Sequence, residues 1–154
     1  MRKEERIMRE LSGALAFDSS VLIEMVFSSE MGREIVKLLI NDIILAYTTE
    51  IALTELEYIL CRRIGIREAR DRVNKLLKSG YVNVIETSKL RELAAEYKCR
   101  RAISLADSFL LALSKYLKIP ALFARREKEL IKEIEREPFD VIILFLEDYL
   151  KGDR

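Results

Sequence analysis

Asp18, Glu55 and Asp107 are the residues whose types and placement could do chemistry. Asp18 lies in Phe17-Asp18-Ser19-Ser20-Val21-Leu22-Ile23, where an apolar run gives way to serines and then to a helical pattern. Glu55 lies between Ile51 and Ile59 at helical i−4 and i+4 spacing, so a helix here sets the acid in an apolar sector, with Glu57 on a different face. An unpaired carboxylate in such a sector is costly, so a cation, either a basic side chain or a metal, is expected beside it. Asp107 opens the apolar stretch Ser104-Leu105-Ala106-Asp107-Ser108-Phe109-Leu110-Leu111. The chain has no His, which removes Ser-His and Cys-His nucleophile pairs, imidazole acid-base catalysis and His-ligated zinc. Hydrolytic chemistry would therefore have to run on carboxylates. Convergent carboxylates repel, hard divalent cations offset that repulsion, and an oxygen-only ligand set suits Mg²⁺ or Mn²⁺. A metal held in this way can lower the pKa of bound water and stabilise charge on a phosphodiester during in-line attack.

Each acid also has a purely structural reading. Asp18, or one of the serines after it, can cap the following helix. Glu55 can be a boundary glutamate that reaches solvent. Ser104 with Asp107 three residues on fits a capping box, in which the acid satisfies a free backbone N–H. The readings are compatible, since a capping aspartate can still direct its second oxygen at a metal.

The elements that would position these acids are legible as alternating patterns. Short runs rich in β-branched or aromatic residues at Ala14–Phe17, Ile43–Tyr47, Val82–Ile85, Ala121–Phe123 and Val141–Leu146 predict five strands. Helical spacing predicts helices over Val21–Phe27, Arg33–Ile40, Ile51–Arg63, Arg67–Lys78, Lys89–Ile103, Leu105–Leu117 and Glu127–Arg136. Such alternation predicts an α/β fold with a mostly parallel sheet between two helical layers. The runs at Ile43 and Val141 are apolar almost throughout, as in strands buried on both faces. Ligands of open parallel sheets gather beyond the carboxyl ends of the strands, where all three acids would fall.

The remaining composition bounds the protein without identifying it. At 154 residues, with half of them hydrophobic and only five Gly and two Pro, one globular domain over residues 13–150 is expected, preceded by a charged extension over 1–12. Cys61 and Cys99 stand outside any metal-ligand or disulfide pattern. No apolar run approaches the length of a membrane span, so a soluble, cytoplasmic protein is expected. Gln and Trp are absent while Lys, Arg, Glu and Ile abound, a bias shared with hyperthermophile proteins.

With these residues in place, the sequence resembles the PIN-domain family, including toxin nucleases of VapC type, over roughly Leu15 to Leu146. Phe17 to Ile23 resembles the opening hydrophobic-Asp-Thr/Ser-Ser/Asn-Val-Leu-Ile motif. Thr54-Glu55-Leu56-Glu57-Tyr58 resembles the second motif, and Ser104 to Phe109 resembles the third. The fourth, a strand followed by Thr, one residue and Asp, is altered: Ala124 stands for the Thr and Arg126 falls where the Asp would be. Glu127 could supply that carboxylate one residue later, with Glu129 as a weaker candidate. The resemblance implies a three-layer α/β/α sandwich of strand order 3-2-1-4-5. It also implies an Mg²⁺ or Mn²⁺ site on Asp18, Glu55, Asp107 and Glu127, single-stranded RNA as substrate, and often a homodimer and an antitoxin partner.

Net charge is only +1, so any contact with phosphates depends on local clusters: Arg62-Arg63, Lys98 with Arg100-Arg101, and Arg125-Arg126 with Lys128. Each can equally be a solvated helix face paired with nearby Glu. Ser19, Arg125 and Arg126 are the candidate substrate-binding residues. The expected function is a metal-dependent endoribonuclease, a toxin or an RNA-processing enzyme. The altered fourth motif keeps open a PIN-like binding or scaffolding module without activity, and carboxylate-metal chemistry alone also admits a phosphatase.

Overall fold

The computed structural model describes residues 11–150, so residues 1–10 of the expected extension lie outside the described residues. Leu11 is fully buried, which carries the packed domain two residues upstream of the expected boundary at Gly13. The strands are β1 (Gly13–Phe17), β2 (Ile44–Thr49), β3 (Val82–Ile85), β4 (Ala121–Phe123) and β5 (Ile143–Phe145). Every pairing is parallel, and the order across the sheet is β3-β2-β1-β4-β5, as the resemblance implied. The described helices are α1 (Ser19–Val26), α2 (Glu30–Ile40), α3 (Glu50–Ile64), α4 (Ile66–Lys78), α5 (Thr87–Arg100), α6 (Leu105–Leu117), α7 (Lys128–Arg136) and the short α8 (Leu146–Leu150).

The two-residue period of the central strands divides the core. Leu15 and Phe17 of β1 and Leu122 of β4 point into one cluster with Val21, Leu22, Ile35, Leu56 and Leu60. Ala16, Ala121 and Phe123 point into the other, with Leu90, Leu110, Leu111 and Leu113. Complete burial of a Leu or Phe contributes roughly 1.5–3 kcal/mol, so β1, held between β2 and β4, is the axis on which both layers are fixed. Helix α6 is buried over Asp107–Ser114, which explains why its sequence is apolar on nearly every side.

Three expectations are corrected. The predicted strand over Val141–Leu146 shortens to Ile143–Phe145 because Leu146 opens α8. The helix expected to run to Ile103 stops at Arg100, because Arg101 is extended and Ser104 caps α6. The run at Ile43 is not covered on both faces: Leu45 is 48% exposed and Ile142, in the last run, 63%. On the side of α5 and α6, packing against β2 begins only at Tyr47.

Candidate active site

Asp18, Glu55 and Glu127 lie in the segments that follow β1, β2 and β4, whereas Asp107, expected beyond a strand end, stands at the start of α6, which follows helix α5 instead. Asp18 follows β1 directly and is the N-cap of α1, its Oδ2 accepting the Ser20 N–H at 3.0 Å. Capping and site placement thus coincide in one residue. It is only 5% exposed, and burial raises its pKa against the lowering effect of hydrogen bonds from Ser20 and Ser19. Beyond β2, Thr49 caps α3 through Ala52 N–H at 2.9 Å. One turn further on, Glu55 is half-buried, and its Oε1 accepts the Ser19 hydroxyl at 3.1 Å. Burial and then the Asp18 charge raise the Glu55 carboxyl, while Ser19 offsets part of the shift. The cation expected beside Glu55 is not a side chain: no basic residue pairs with it among the described residues. Ser19, a candidate for substrate binding, is buried and spends its hydroxyl on Glu55.

Asp107 stands in the first turn of α6, where the Ser104 hydroxyl accepts its N–H at 3.1 Å. The capping box is only half formed, because the Ser104 N–H does not bond back to the Asp107 carboxylate. The acid is left to face the others at 8% exposure. Burial, and after it the charges of Asp18, Glu127 and Glu55, push its pKa up to about 7, against a smaller lowering effect from the Ser104 hydroxyl.

Glu127 occupies the N-cap position of α7 but makes no side-chain cap bond. Although much of the residue is exposed, crowding around its carboxyl and then the charges of Asp18, Glu55 and Glu129 raise its pKa. The displaced fourth acid therefore shares the electrostatic field of the other three, whereas Glu129 is exposed on α7 and acts through its charge on Glu127.

The arginines of the altered motif point elsewhere. Arg125 Nη1 bonds Glu24 Oε1 at 2.6 Å. Arg126 makes a fork to Asp148, with Nη1 on Oδ1 at 2.5 Å and Nη2 on Oδ2 at 2.8 Å. Its Nη1 also meets Glu147 Oε1 at 3.0 Å, and the guanidinium lies 4.7 Å from the Phe145 ring centre. Arg62 and Arg63 stack on Tyr58 and Phe27. Arg101, from the second basic cluster, is drawn into an ion pair with buried Glu133 at 2.9 Å.

Two features escaped the sequence. Ser20 Oγ accepts the Ala124 N–H at 3.0 Å, tying α1 to the loop after β4. Glu50 Oε2 accepts both the Thr87 N–H at 2.8 Å and its hydroxyl at 2.6 Å, joining α3 to α5 and lowering the Glu50 pKa. Both bonds join segments remote in sequence, and the only local signal for them was hydroxyl residues just past strand ends.

Four carboxylates from four segments, without nitrogen or sulfur donors and without a paired base among the described residues, form a donor set suited in kind to a hard divalent cation. As the side chains stand, no group of three His, Cys, Asp or Glu among the described residues is gathered to hold a metal ion. No described helix is long and apolar enough to cross a membrane.

The PIN-domain family model matches residues 15–144. The fold is similar to that of VapC20 from Mycobacterium tuberculosis, described as a sarcin-ricin loop cleaving toxin. The two share 24% identity and a TM-score of 0.56, over 70% of this chain and 86% of that one. It is similar to DNA-bound VapBC from Salmonella typhimurium at 15% identity and TM-score 0.62, over 86% and 98% of the two chains. A toxin-antitoxin complex from Klebsiella pneumoniae matches at 13% identity and TM-score 0.55, over 75% and 89%. No curated protein matches the chain.

Proposed function

The chain belongs to the PIN-domain family, and on that premise we propose that it is a metal-dependent endoribonuclease acting on single-stranded RNA, a VapC-like toxin or an RNA-processing enzyme. The observation that carries the reading is the set Asp18, Glu55, Asp107 and Glu127, in which the Asp18 charge raises the other three carboxyls and no base pairs with them among the described residues. Structural acids are normally satisfied, so an uncompensated cluster marks a functional site. These four residues would hold Mg²⁺ or Mn²⁺, which when bound compensates their charge and polarises a phosphodiester. The protein's own part is orientation. Capping fixes the Asp18 rotamer, the Ser19 hydroxyl holds Glu55, and Asp107 can hold a proton near neutral pH while no cation is bound. The likeness to VapBC and toxin-antitoxin assemblies supports an antitoxin protein as partner, and the proposal includes a homodimer.

The test is cleavage of a single-stranded RNA by purified protein with Mn²⁺ or Mg²⁺, beside Asp18→Asn. We expect cleavage that chelation abolishes and that the variant lacks while its far-UV circular dichroism is unchanged. Undiminished cleavage by Asp18→Asn overturns the assignment. The second reading, an inactive binding module, is favoured by Ala124 and Arg126 in the fourth motif. No thermal stabilisation at millimolar Mn²⁺ would select it. Activity on small phosphomonoesters but not on RNA would select a phosphatase.

A further inference from the structure

We infer that Arg126 is a positioning residue: clamped by Glu147 and Asp148, it locks the loop between β4 and α7 so that Glu127 presents its carboxylate to Asp18 and Glu55. The inference rests on the nuclease reading for its consequence in catalysis, but the clamp itself is visible without it.

The loop has three anchors. Its first residue, Ala124, donates its N–H to Ser20 Oγ at 3.0 Å and accepts the Glu147 N–H on its carbonyl at 3.0 Å. Ala124 is thus tied by its backbone on both sides, although it lacks the hydroxyl a threonine would bring. The third anchor is Arg126, which forks onto Asp148, touches Glu147 and lies across Phe145. A planar guanidinium in a bidentate pair fixes direction as well as distance. With Arg126 turned toward α8, the next residue begins the approach to α7. Glu127 is extended, at φ −102° and ψ 135°, and leaves its side chain uncommitted to the helix. Glu127 is the very next residue, so the fork that fixes Arg126 against α8 also limits where the Glu127 carboxylate can lie relative to the acids whose charges act on it. Arg126 sits where the resemblance called for an Asp, and its clamp converts that change into a one-residue shift of the carboxylate. The start of α8 thereby becomes part of the scaffold of the site.

The test uses the full chain with Arg126→Ala, Arg126→Lys, Asp148→Asn, Glu127→Gln and the double variant Arg126→Ala with Glu127→Gln. For Mn²⁺-dependent RNA cleavage, Arg126→Ala is expected to lower kcat about tenfold with KM nearly unchanged, and Asp148→Asn to lower it less. Arg126→Lys, which keeps charge but not the fork, should recover only part. The double variant should be no slower than Glu127→Gln alone, as required if Arg126 acts through Glu127. Additive losses overturn the proposal. So does a raised KM with a shallower salt dependence for Arg126→Ala beside an unaffected Asp148→Asn, because that pattern marks direct contact with phosphate. Hydrogen exchange of the metal-free protein provides the readout independent of activity. Arg126→Ala should reduce protection at the Glu147 and Ala124 amides by about tenfold or more, with helix α6 unchanged, and unaltered protection there overturns the clamp. If the unmodified chain neither cleaves RNA nor responds to Mn²⁺, the nuclease reading fails, and exchange at those two amides still decides the clamp.

Discussion

Two carboxylates almost equally withdrawn from solvent behave in opposite ways. Glu133, 4% exposed, is held down to about 2 by the guanidinium of Arg136 and then that of Arg101. Asp107, 8% exposed, is lifted to about 7, first by burial and then by three other acids. Glu133 is paired with Arg101 and Arg136, and Arg101 also donates to the Glu137 carbonyl and packs its guanidinium 3.6 Å from the Phe139 ring centre. Nearby, Asp140 accepts the Tyr97 hydroxyl at 2.5 Å and Lys115 Nζ at 2.7 Å. Burial therefore does not separate the two regions; compensation does. The first region has closed its electrostatics and contributes to stability. The second has left its electrostatics open, at a cost to stability, as the proposed metal site requires and a strut does not.

Exchanging charge for neutrality on each side should have opposite outcomes, and the largest effect is expected at the open region. Asp107→Asn should lower kcat for RNA cleavage by about 10³-fold or more, equivalent to roughly 4 kcal/mol of barrier, while the melting temperature at pH 8 holds or rises. A coincident collapse of stability would show that the acid is structural after all. Next in size, Glu133→Gln should lower Tm by about 5 °C or more by leaving Arg101 buried without its partner, with kcat nearly unchanged. Loss of activity at an unchanged Tm would blur the contrast.

The pH dependence of metal-free protein separates the regions more finely. Asp107 binds its proton more tightly folded, at about 7, than at its ordinary 3.8. Its contribution to stability is therefore full below about pH 4 and is lost as pH rises toward 7. Glu133, lowered to about 2, contributes in the opposite sense: its stabilisation is present above its ordinary value and is lost as pH falls toward 2. Chemical denaturation of Asp107→Asn should show a smaller decline between pH 4 and 7 than the unmodified chain, and an identical decline would remove Asp107 as its source. The smallest effect is expected from Tyr97→Phe, which removes one hydrogen bond to Asp140 and should cost about 1 kcal/mol without touching cleavage.

How far the sequence disclosed this arrangement depended on the range of the interaction. Asp18 was legible because it sits where a two-residue period changes to a helical one, Glu55 because isoleucines flank it at i−4 and i+4, and Asp107 because it is an acid in the first turn of an apolar helix. Strand order came through resemblance, not periodicity, since pairing partners leave little local trace. The destinations of the basic residues were hidden: Arg101 finds Glu133 across 32 residues, and Arg126 finds Asp148 across 22. No spacing rule distinguishes those arginines from solvated ones. Exposure of Leu45 was hidden too, because apolar composition does not reveal where the helical cover on one face begins.

The bond between Ser20 and Ala124 spans 104 residues, and it sets the timing of assembly. The central strand is made first, but its partner β4, and with it the loop bearing Glu127, is made about a hundred residues later. Asp18 and Glu55 are synthesised well before Asp107 and Glu127 can join them. Contacts this distant in sequence close late and slowly. A growing chain therefore carries at most two of the four acids until Asp107 is made, and whatever the four do together begins only once Glu127 has followed.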